Sequence, residues 1–407
     1  MKCGLLGRKL GHSYSPQIHA LLGNYSYQLF EKEPEEIGDF LKNGDFTGLN
    51  VTIPYKKEVI PFLDELSPAA ARLGAVNTIV RRDGKLIGHN TDYFGFRRLV
   101  QESGLQVAGK KVLVLGSGGA SSTAVAVLQE LGAKVTVISR SGENNYENLE
   151  RHADAAVIAN TTPVGMYPKT GKSALSLEGF PRLEGVLDAV YNPARTQILL
   201  DAERRGLAAV NGLWMLVAQA KESAEWFTGE EIPDSRIAKI HHTLRLQMEN
   251  IILIGMPGCG KTAVGQQLAQ KLGKKFVDAD ESLEARVCRK ITDIIPNDGE
   301  AAFREMESET LAELGKQSGL VIATGGGCVT QPQNYPLLHQ NGTIFWLKRE
   351  LDKLPTDGRP LSQKGTLGQM YEARMPLYLR FADAAISNDG SIAETASAIC
   401  RKLEETT

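Results

Sequence analysis

An α/β architecture with mostly parallel sheets is what this 407-residue sequence predicts, on three observations. Short β-branched runs alternate with helical patterns almost throughout, the order expected when strands are joined by crossover helices. Two strand-to-helix junctions are Gly-rich, at Gly116 to Ala120 and at Gly255 to Thr262, and each can only open its own nucleotide-binding unit. The length also exceeds what one hydrophobic core usually supports, so two or three domains are expected.

Composition narrows the class. Hydrophobic residues at 42% and charged residues at 23% are ordinary for a soluble globular chain. A net charge of -2 argues against bulk nucleic-acid binding. The five cysteines, Cys3, Cys259, Cys288, Cys328 and Cys400, are odd in number and scattered, and no pair has metal-ligand spacing. That usage suits a reducing cytoplasm. The N-terminus has no basic stretch followed by an apolar run and a small-residue cleavage site. No apolar run is long enough to span a bilayer, so no membrane partner is expected.

The first segment begins with a strand at Cys3 to Leu6, followed by Ser15 as an N-cap with Pro16 at the first helical position. Val76 to Ile87 reads as a hairpin turning at Asp83 and Gly84. Residues 1–100 are expected to form one lobe, joined by closing helices at about 213–240. Residues 101–212 are expected to form a Rossmann-type unit. The polar segment 241–248 (HHTLRLQM) reads as an irregular linker, and 249–407 as a separate domain.

Lys111 to Leu115 reads as a buried strand, then come Gly116, Gly118, Gly119 and Ala120, then a helix to Leu131 and a strand at Lys134 to Ile138. The glycines permit a tight turn, and the helix N-terminus turns free N–H groups toward a pyrophosphate. The same turn could be a packing turn without ligand. An NAD site wants a carboxylate at the end of the second strand, but here stand Ser139, Arg140 and Ser141. A guanidinium flanked by hydroxyls suits a 2′-phosphate, so the cofactor expected is NADP(H). The bland alternative is a solvated surface arginine.

Several separated motifs now resemble those of shikimate dehydrogenase, over nearly all of residues 1–240. They are the run Gly11 to Pro16, the run Asn50 to Lys56, Gly74 to Thr78, Asn90 to Asp92, Asn160 to Met166, Tyr191 to Pro193 and Gly212 to Gln219. The resemblance implies that Ser13 and Ser15 bind the substrate carboxylate, that Lys56 is the principal acid/base and that Asp92 is its partner. It implies substrate contacts for Thr52, Asn77, Tyr191 and Gln219, and a cofactor-side place for Gly212. Chemically the set is coherent. A ketone reduction needs a proton donor near the oxygen, and neutral hydrogen-bonding groups suit a polyhydroxylated ring. In isolation Lys56 and Lys57 would read as a solvated pair. The chain departs from the family's usual pattern at Ser122, often Arg, and at Ser139 and Ser141, often Asn and Thr.

The second unit opens with a strand at Asn250 to Ile254. Gly255 to Thr262 fits G-x-x-x-x-G-K-[ST], and a helix follows to Leu272. Main-chain N–H groups of Gly258, Cys259, Gly260 and Ala263 are placed to cradle phosphates, Lys261 to reach them, and the Thr262 hydroxyl to hold Mg²⁺. The cofactors expected here are ATP and Mg²⁺.

The remaining motifs of 249–407 resemble shikimate kinase. The resemblance implies Asp278 as a Mg²⁺ ligand through water and Asp280 on the attacking hydroxyl. It implies Arg304 and Arg374 on the substrate carboxylate, Gly325, Gly326 and Gly327 beside the ring, and Arg359 reaching from a lid to ATP. Arg304 could instead pair only with Glu307 or Glu300, and Arg374 could cap a helix. The stretch from Arg359 to Arg374 is shorter than in many relatives.

Together the resemblances imply a substrate lobe plus a Rossmann-type NADP domain, followed by a P-loop kinase domain on a parallel sheet. They imply a bifunctional enzyme: 3-dehydroshikimate is reduced to shikimate and the shikimate is then phosphorylated, in the biosynthesis of aromatic amino acids. The alternatives left open are quinate as substrate of the first half, another hydroxyl acceptor for the second, or one half acting as a degenerate ligand-binding module.

Overall fold

The computed structural model describes residues 1–11, 13–354 and 367–405. They fall into two compact units. One is Met1–Val164 with Lys172–Tyr191 and Ile198–Thr243; the other is Gly165–Gly171 with Asn192–Gln197 and Leu244–Thr407.

The first unit holds two sheets. Strands β1 (Lys2–Gly7), β2 (Ser26–Glu31), β3 (Gly48–Val51), β4 (Glu65–Leu66), β5 (Thr78–Arg82) and β6 (Lys85–His89) form a mixed sheet in the order β2-β1-β3-β5-β6-β4. The pairs β3–β5 and β5–β6 are antiparallel and the others parallel. Asp83 and Gly84 both have positive φ, at 51° and 79°, which is the turn that matches strand twist in a two-residue hairpin. The expected N-cap is displaced by one residue. Tyr14 caps the helix Ser15–Leu22 without a side-chain bond, and Ser15 is its first helical residue.

The second sheet of this unit comprises β7 (Lys111–Leu115), β8 (Lys134–Ile138), β9 (Val157–Asn160), β10 (Gly185–Asp188) and β11 (Ala208–Val210). Every pairing is parallel, in the order β11-β10-β9-β7-β8. Most residues of β7, β9 and β10 are buried, as strands covered by helices on both faces must be. The chain order reverses between β7 and β9, so a crevice opens there at the carboxyl ends of the strands. Helix Leu213–Thr228 returns to the first sheet, where Ser223 Oγ meets Asn50 Nδ2 at 2.8 Å. It crosses helix Asp92–Glu102 closely, since a Cβ on Gly95 would stand 2.6 Å from the Met215 carbonyl oxygen.

The second unit is built on β12 (Asn250–Ile254), β13 (Lys275–Asp278), β14 (Leu320–Ala323), β15 (Gly342–Lys348) and β16 (Ala384–Ser387), all parallel, in the order β13-β14-β12-β15-β16. The phosphate-loop sequence leaves the central strand β12 and runs into helix Lys261–Leu272.

Residues 241–248 were expected to be irregular, and the structure corrects this: they are the last turns of helix Ser235–Met248. Ile237, Ile240, Leu244 and Met248 are buried and recur every three or four residues, an apolar stripe thinned by the polar residues between. No helix among the described residues is long and apolar enough to cross a membrane.

Candidate active sites

In the first unit, the residues expected to bind substrate share one cavity of about 240 Å³. Ser13 enters from the turn before the first helix and Ser15 from its first residue, Thr52 and Lys56 from the segment after β3, and Asn77 from the residue just before β5. Asp92 opens its helix, and Tyr191 and Gln219 close the far wall. Lys56 Nζ donates to Asp92 Oδ2 at 2.5 Å. Asp92 lies in the first turn of a helix, where the free N–H groups favour a carboxylate. The pair is only partly buried, so both groups can reach a ligand in the cavity.

Beneath them runs a polar network that sequence reasoning missed. Asn50 Nδ2 donates to Ser223 Oγ at 2.8 Å, and Tyr27 Oη donates to Asn50 Oδ1 at 2.7 Å. Ser223 Oγ also meets Thr78 Oγ1 at 2.8 Å and Thr91 Oγ1 at 3.0 Å. Thr91 N donates to Asn77 Oδ1 at 2.7 Å and Asn77 Nδ2 to Thr91 Oγ1 at 3.0 Å, which fixes the Asn77 amide. These partners lie on five separate chain segments, so no local pattern announces them. Tyr191 packs edge-on against Tyr14, with centroids 6.1 Å apart, and burial pushes its hydroxyl pKa up.

The Gly-rich turn after β7 has space for a phosphate group. Cβ atoms on Gly118 and Gly119 would meet nothing within 4 Å, whereas Gly116, at φ 112°, lies against Thr161 and Thr162. Ala120 is partly buried in the first turn of helix Gly119–Glu130. Ser139 and Arg140 follow the end of β8, and Arg140 is exposed. Gly212, expected on the cofactor side, lines the same cavity as Lys56 and Asp92. A Cβ there would sit 2.1 Å from the Ala189 carbonyl oxygen, so only glycine fits.

In the second unit a cavity of about 470 Å³ gathers Gly258, Gly260, Lys261, Thr262 and Ala263 with Asp278, Asp280, Arg304, the three glycines 325–327 and Arg374. Lys261 Nζ is held by the carbonyls of Gly255 at 2.9 Å and Met256 at 3.0 Å. Thr262 Oγ1 donates to Asp278 Oδ2 at 2.9 Å, a hydroxyl and a carboxylate side by side as a hard divalent cation requires. Asp278 also caps the next helix by accepting from Asp280 N. Cys259 does not line the cavity. Its side chain is buried, and its carbonyl takes a 2.6 Å bond from Asn388 Nδ2. Arg359 lies outside the described residues.

Asp280 is mostly buried. That burial, reinforced by Asp278, raises its pKa against the opposing pull of Lys261 and Arg304. Arg304 pairs with Glu307 at 2.8 Å and with Glu300 at 3.0 Å, yet it still lines the cavity. Arg374 does not cap its helix; its Nη1 donates to the Gly326 carbonyl at 3.3 Å, and Tyr378 Oη reaches the same oxygen at 2.5 Å. The glycine run is compressed by the site's own side chains. A Cβ at 325 would lie 2.6 Å from Glu307 Oε1 and 2.9 Å from Asp280 Oδ1, and one at 327 would lie 2.2 Å from Arg304 Nη2. Glu307, read from sequence only as a rival partner for Arg304, is thus part of the site. Its spacing of three from Arg304 on one helix is the signal that marks it.

Two nucleotide-dependent enzymes on one chain are the class these sites define: an oxidoreductase-type unit and a P-loop kinase unit. A family model for the shikimate dehydrogenase substrate binding domain matches residues 5–79, and one for shikimate kinase matches residues 257–404. Shikimate dehydrogenase (NADP(+)) from Clostridium perfringens is 37% identical over 264 residues, spanning 60% of this chain and 97% of that protein. The crystal structure of shikimate dehydrogenase 1 from Peptoclostridium difficile is 38% identical with a TM-score of 0.55, over 60% of this chain and 98% of that one. Shikimate 5-dehydrogenase from Thermus thermophilus, in complex with NADP(H) and shikimate, is 30% identical with a TM-score of 0.54, over 60% and 99%. The chain belongs to the shikimate dehydrogenase family and carries a shikimate kinase domain behind it.

Proposed function

We propose that this enzyme reduces 3-dehydroshikimate to shikimate with NADPH and then phosphorylates shikimate with ATP and Mg²⁺. The observation that carries the reading is the Lys56–Asp92 pair, set in a cavity whose other polar groups are hydroxyls and amides. We assign residues 1–100 and 213–240 to substrate, 101–212 to NADP apart from Gly165–Gly171 and Asn192–Gln197, which group with the second unit, and 249–407 to the kinase. The five free cysteines suit action in the cytoplasm.

In the reduction, Ser13 and Ser15 hold the carboxylate, while Thr52, Asn77, Tyr191 and Gln219 hold the ring hydroxyls. Gly116, Gly118, Gly119 and Ala120 would hold the pyrophosphate of NADPH, and Ser139 and Arg140 its 2′-phosphate; when bound, the cofactor would supply the hydride. Lys56 polarises the ketone and gives a proton to the oxygen as it gains charge. Asp92 orients Lys56 and accepts a hydrogen bond from a neighbouring hydroxyl.

In the phosphorylation, Arg304 and Arg374 hold the carboxylate, and Asp280 accepts the proton of the attacking hydroxyl. Lys261 and the loop N–H groups neutralise the phosphates, while Thr262 and Asp278 hold the metal. ATP with Mg²⁺ supplies the transferable phosphoryl group.

The test mixes the protein with 3-dehydroshikimate, NADPH, ATP and Mg²⁺, following NADPH absorbance and ADP release together. NADPH loss without ATP, and ADP release only once shikimate is formed or added, is the expected result. A silent half, or a faster rate with quinate, would overturn the corresponding assignment.

A further inference from the structure

Away from both sites the second unit has another cavity, of about 300 Å³, the lower end of the range for small-molecule sites. Leu246, Ile251, Leu272 and Leu403 supply apolar walls, and Lys274 supplies an ammonium. Its Nζ donates to the carbonyls of Gln247 at 3.0 Å and Glu249 at 2.7 Å, which leaves one proton of three unspent. No carboxylate of the described residues pairs with it. Glu249, the nearest candidate, is taken by Arg245 at 3.3 Å and by the Thr343 hydroxyl.

Among the described residues, the other charges around the cavity leave Lys274 as the group short of a counter-ion. Helices Ser235–Met248, Lys261–Leu272 and Ile392–Glu405 end beside it, and their carbonyl ends oppose an anion. Each has a basic residue in its own last turn, however: Arg245, Lys271 and Lys402. Glu404 is exposed at the rim. Burial pulls the Lys274 pKa down to about 8, and the Glu249 charge opposes this only in part.

We propose that this cavity binds a small monocarboxylate with an apolar body, its carboxylate on Lys274 and its body among the four aliphatic side chains.

The test is calorimetric titration of the full chain with 3-phenylpropanoate, shikimate and ADP being held saturating so that both active sites are filled. One equivalent should bind. Lys274→Met should weaken binding at least tenfold. So should Leu272→Trp, which fills the cavity from a side chain already 38% exposed. Both variants should phosphorylate shikimate at the parent rate. Lys274→Arg, which keeps the charge should Lys274→Met fold poorly, should retain binding. Absence of binding at 10 mM (a concentration of about the weakest useful affinity), equal binding by both weakening variants, or equal binding of the neutral 3-phenylpropanamide would overturn the proposal.

Discussion

Glu307 and Arg304 stand three residues apart on one helix and meet at 2.8 Å, both almost fully buried, while Glu307 Oε1 remains without a partner. The carboxylate therefore aims Arg304 into the kinase cavity and keeps one oxygen beside Asp280. Removing one partner of a buried pair leaves the other uncompensated. Glu307→Gln is expected to raise the KM for shikimate about tenfold or more and to cost roughly 2–3 kcal/mol of stability. Kinase assays and thermal melts on the same sample check both.

The proton-accepting role proposed for Asp280 predicts a pH limb in the kinase reaction. The Asp280 pKa is raised by burial and by Asp278, so the proton-accepting form is lost at a higher pH than for an ordinary carboxylate. Kinase kcat/KM should fall as pH drops through that raised value, while the dehydrogenase rate does not follow it. The stability sign follows from the same shift. A carboxylate that binds its proton more tightly when folded favours folding below its unfolded pKa, and this is lost as pH rises through the folded one. Asp280→Asn should thus gain on the order of 1 kcal/mol at neutral pH while phosphorylation falls about 10²–10⁴-fold.

Lys56→Ala should abolish most NADPH oxidation, about 10²–10⁴-fold, and leave phosphorylation of added shikimate intact. Lys261→Ala should do the reverse. Loss of both activities in either folded variant would contradict two independent sites.

Arg140→Ala should raise the KM for NADPH about tenfold or more and leave that for NADH nearly unchanged, because a guanidinium and a 2′-phosphate form charge-assisted bonds that a ribose hydroxyl does not. Steady-state kinetics with the two cofactors measure the difference directly.

Ser223→Ala should cost about 1–3 kcal/mol, since it strands Asn50, Thr78 and Thr91 together in a buried network. The KM for 3-dehydroshikimate should rise with it, because Thr91 holds Asn77. A melt unchanged from the parent would sink this account.

Local signals carried most of the architecture. Asp83–Gly84 announces its hairpin by turn chemistry, and the strand before each Gly-rich turn is a short β-branched run that the structure buries. The helix through His241 and His242 was less legible, because its apolar stripe is only one residue wide among polar neighbours. In the kinase site, Lys261 and Thr262 belong to a contiguous motif. The roles of Glu307 and Tyr378 depend on which carbonyl or guanidinium the fold brings near, and no spacing encodes that for Tyr378 and Gly326, 52 residues apart. Ser223 is the extreme case, 173 residues from Asn50.

The compressed glycines 325 to 327 carry an evolutionary consequence. Any single substitution at 325 or 327 would bring a Cβ against the carboxylates of Glu307 and Asp280 or the guanidinium of Arg304, so the first mutational step away from glycine must displace a charged group that lines the cavity. Drift toward a new acceptor molecule is therefore channelled to the far wall, through residues such as Ile295 and Met370 that touch the same cavity without gripping its charges. The backbone side of the site is a ratchet, and the aliphatic side is where descendants of this chain are free to diverge.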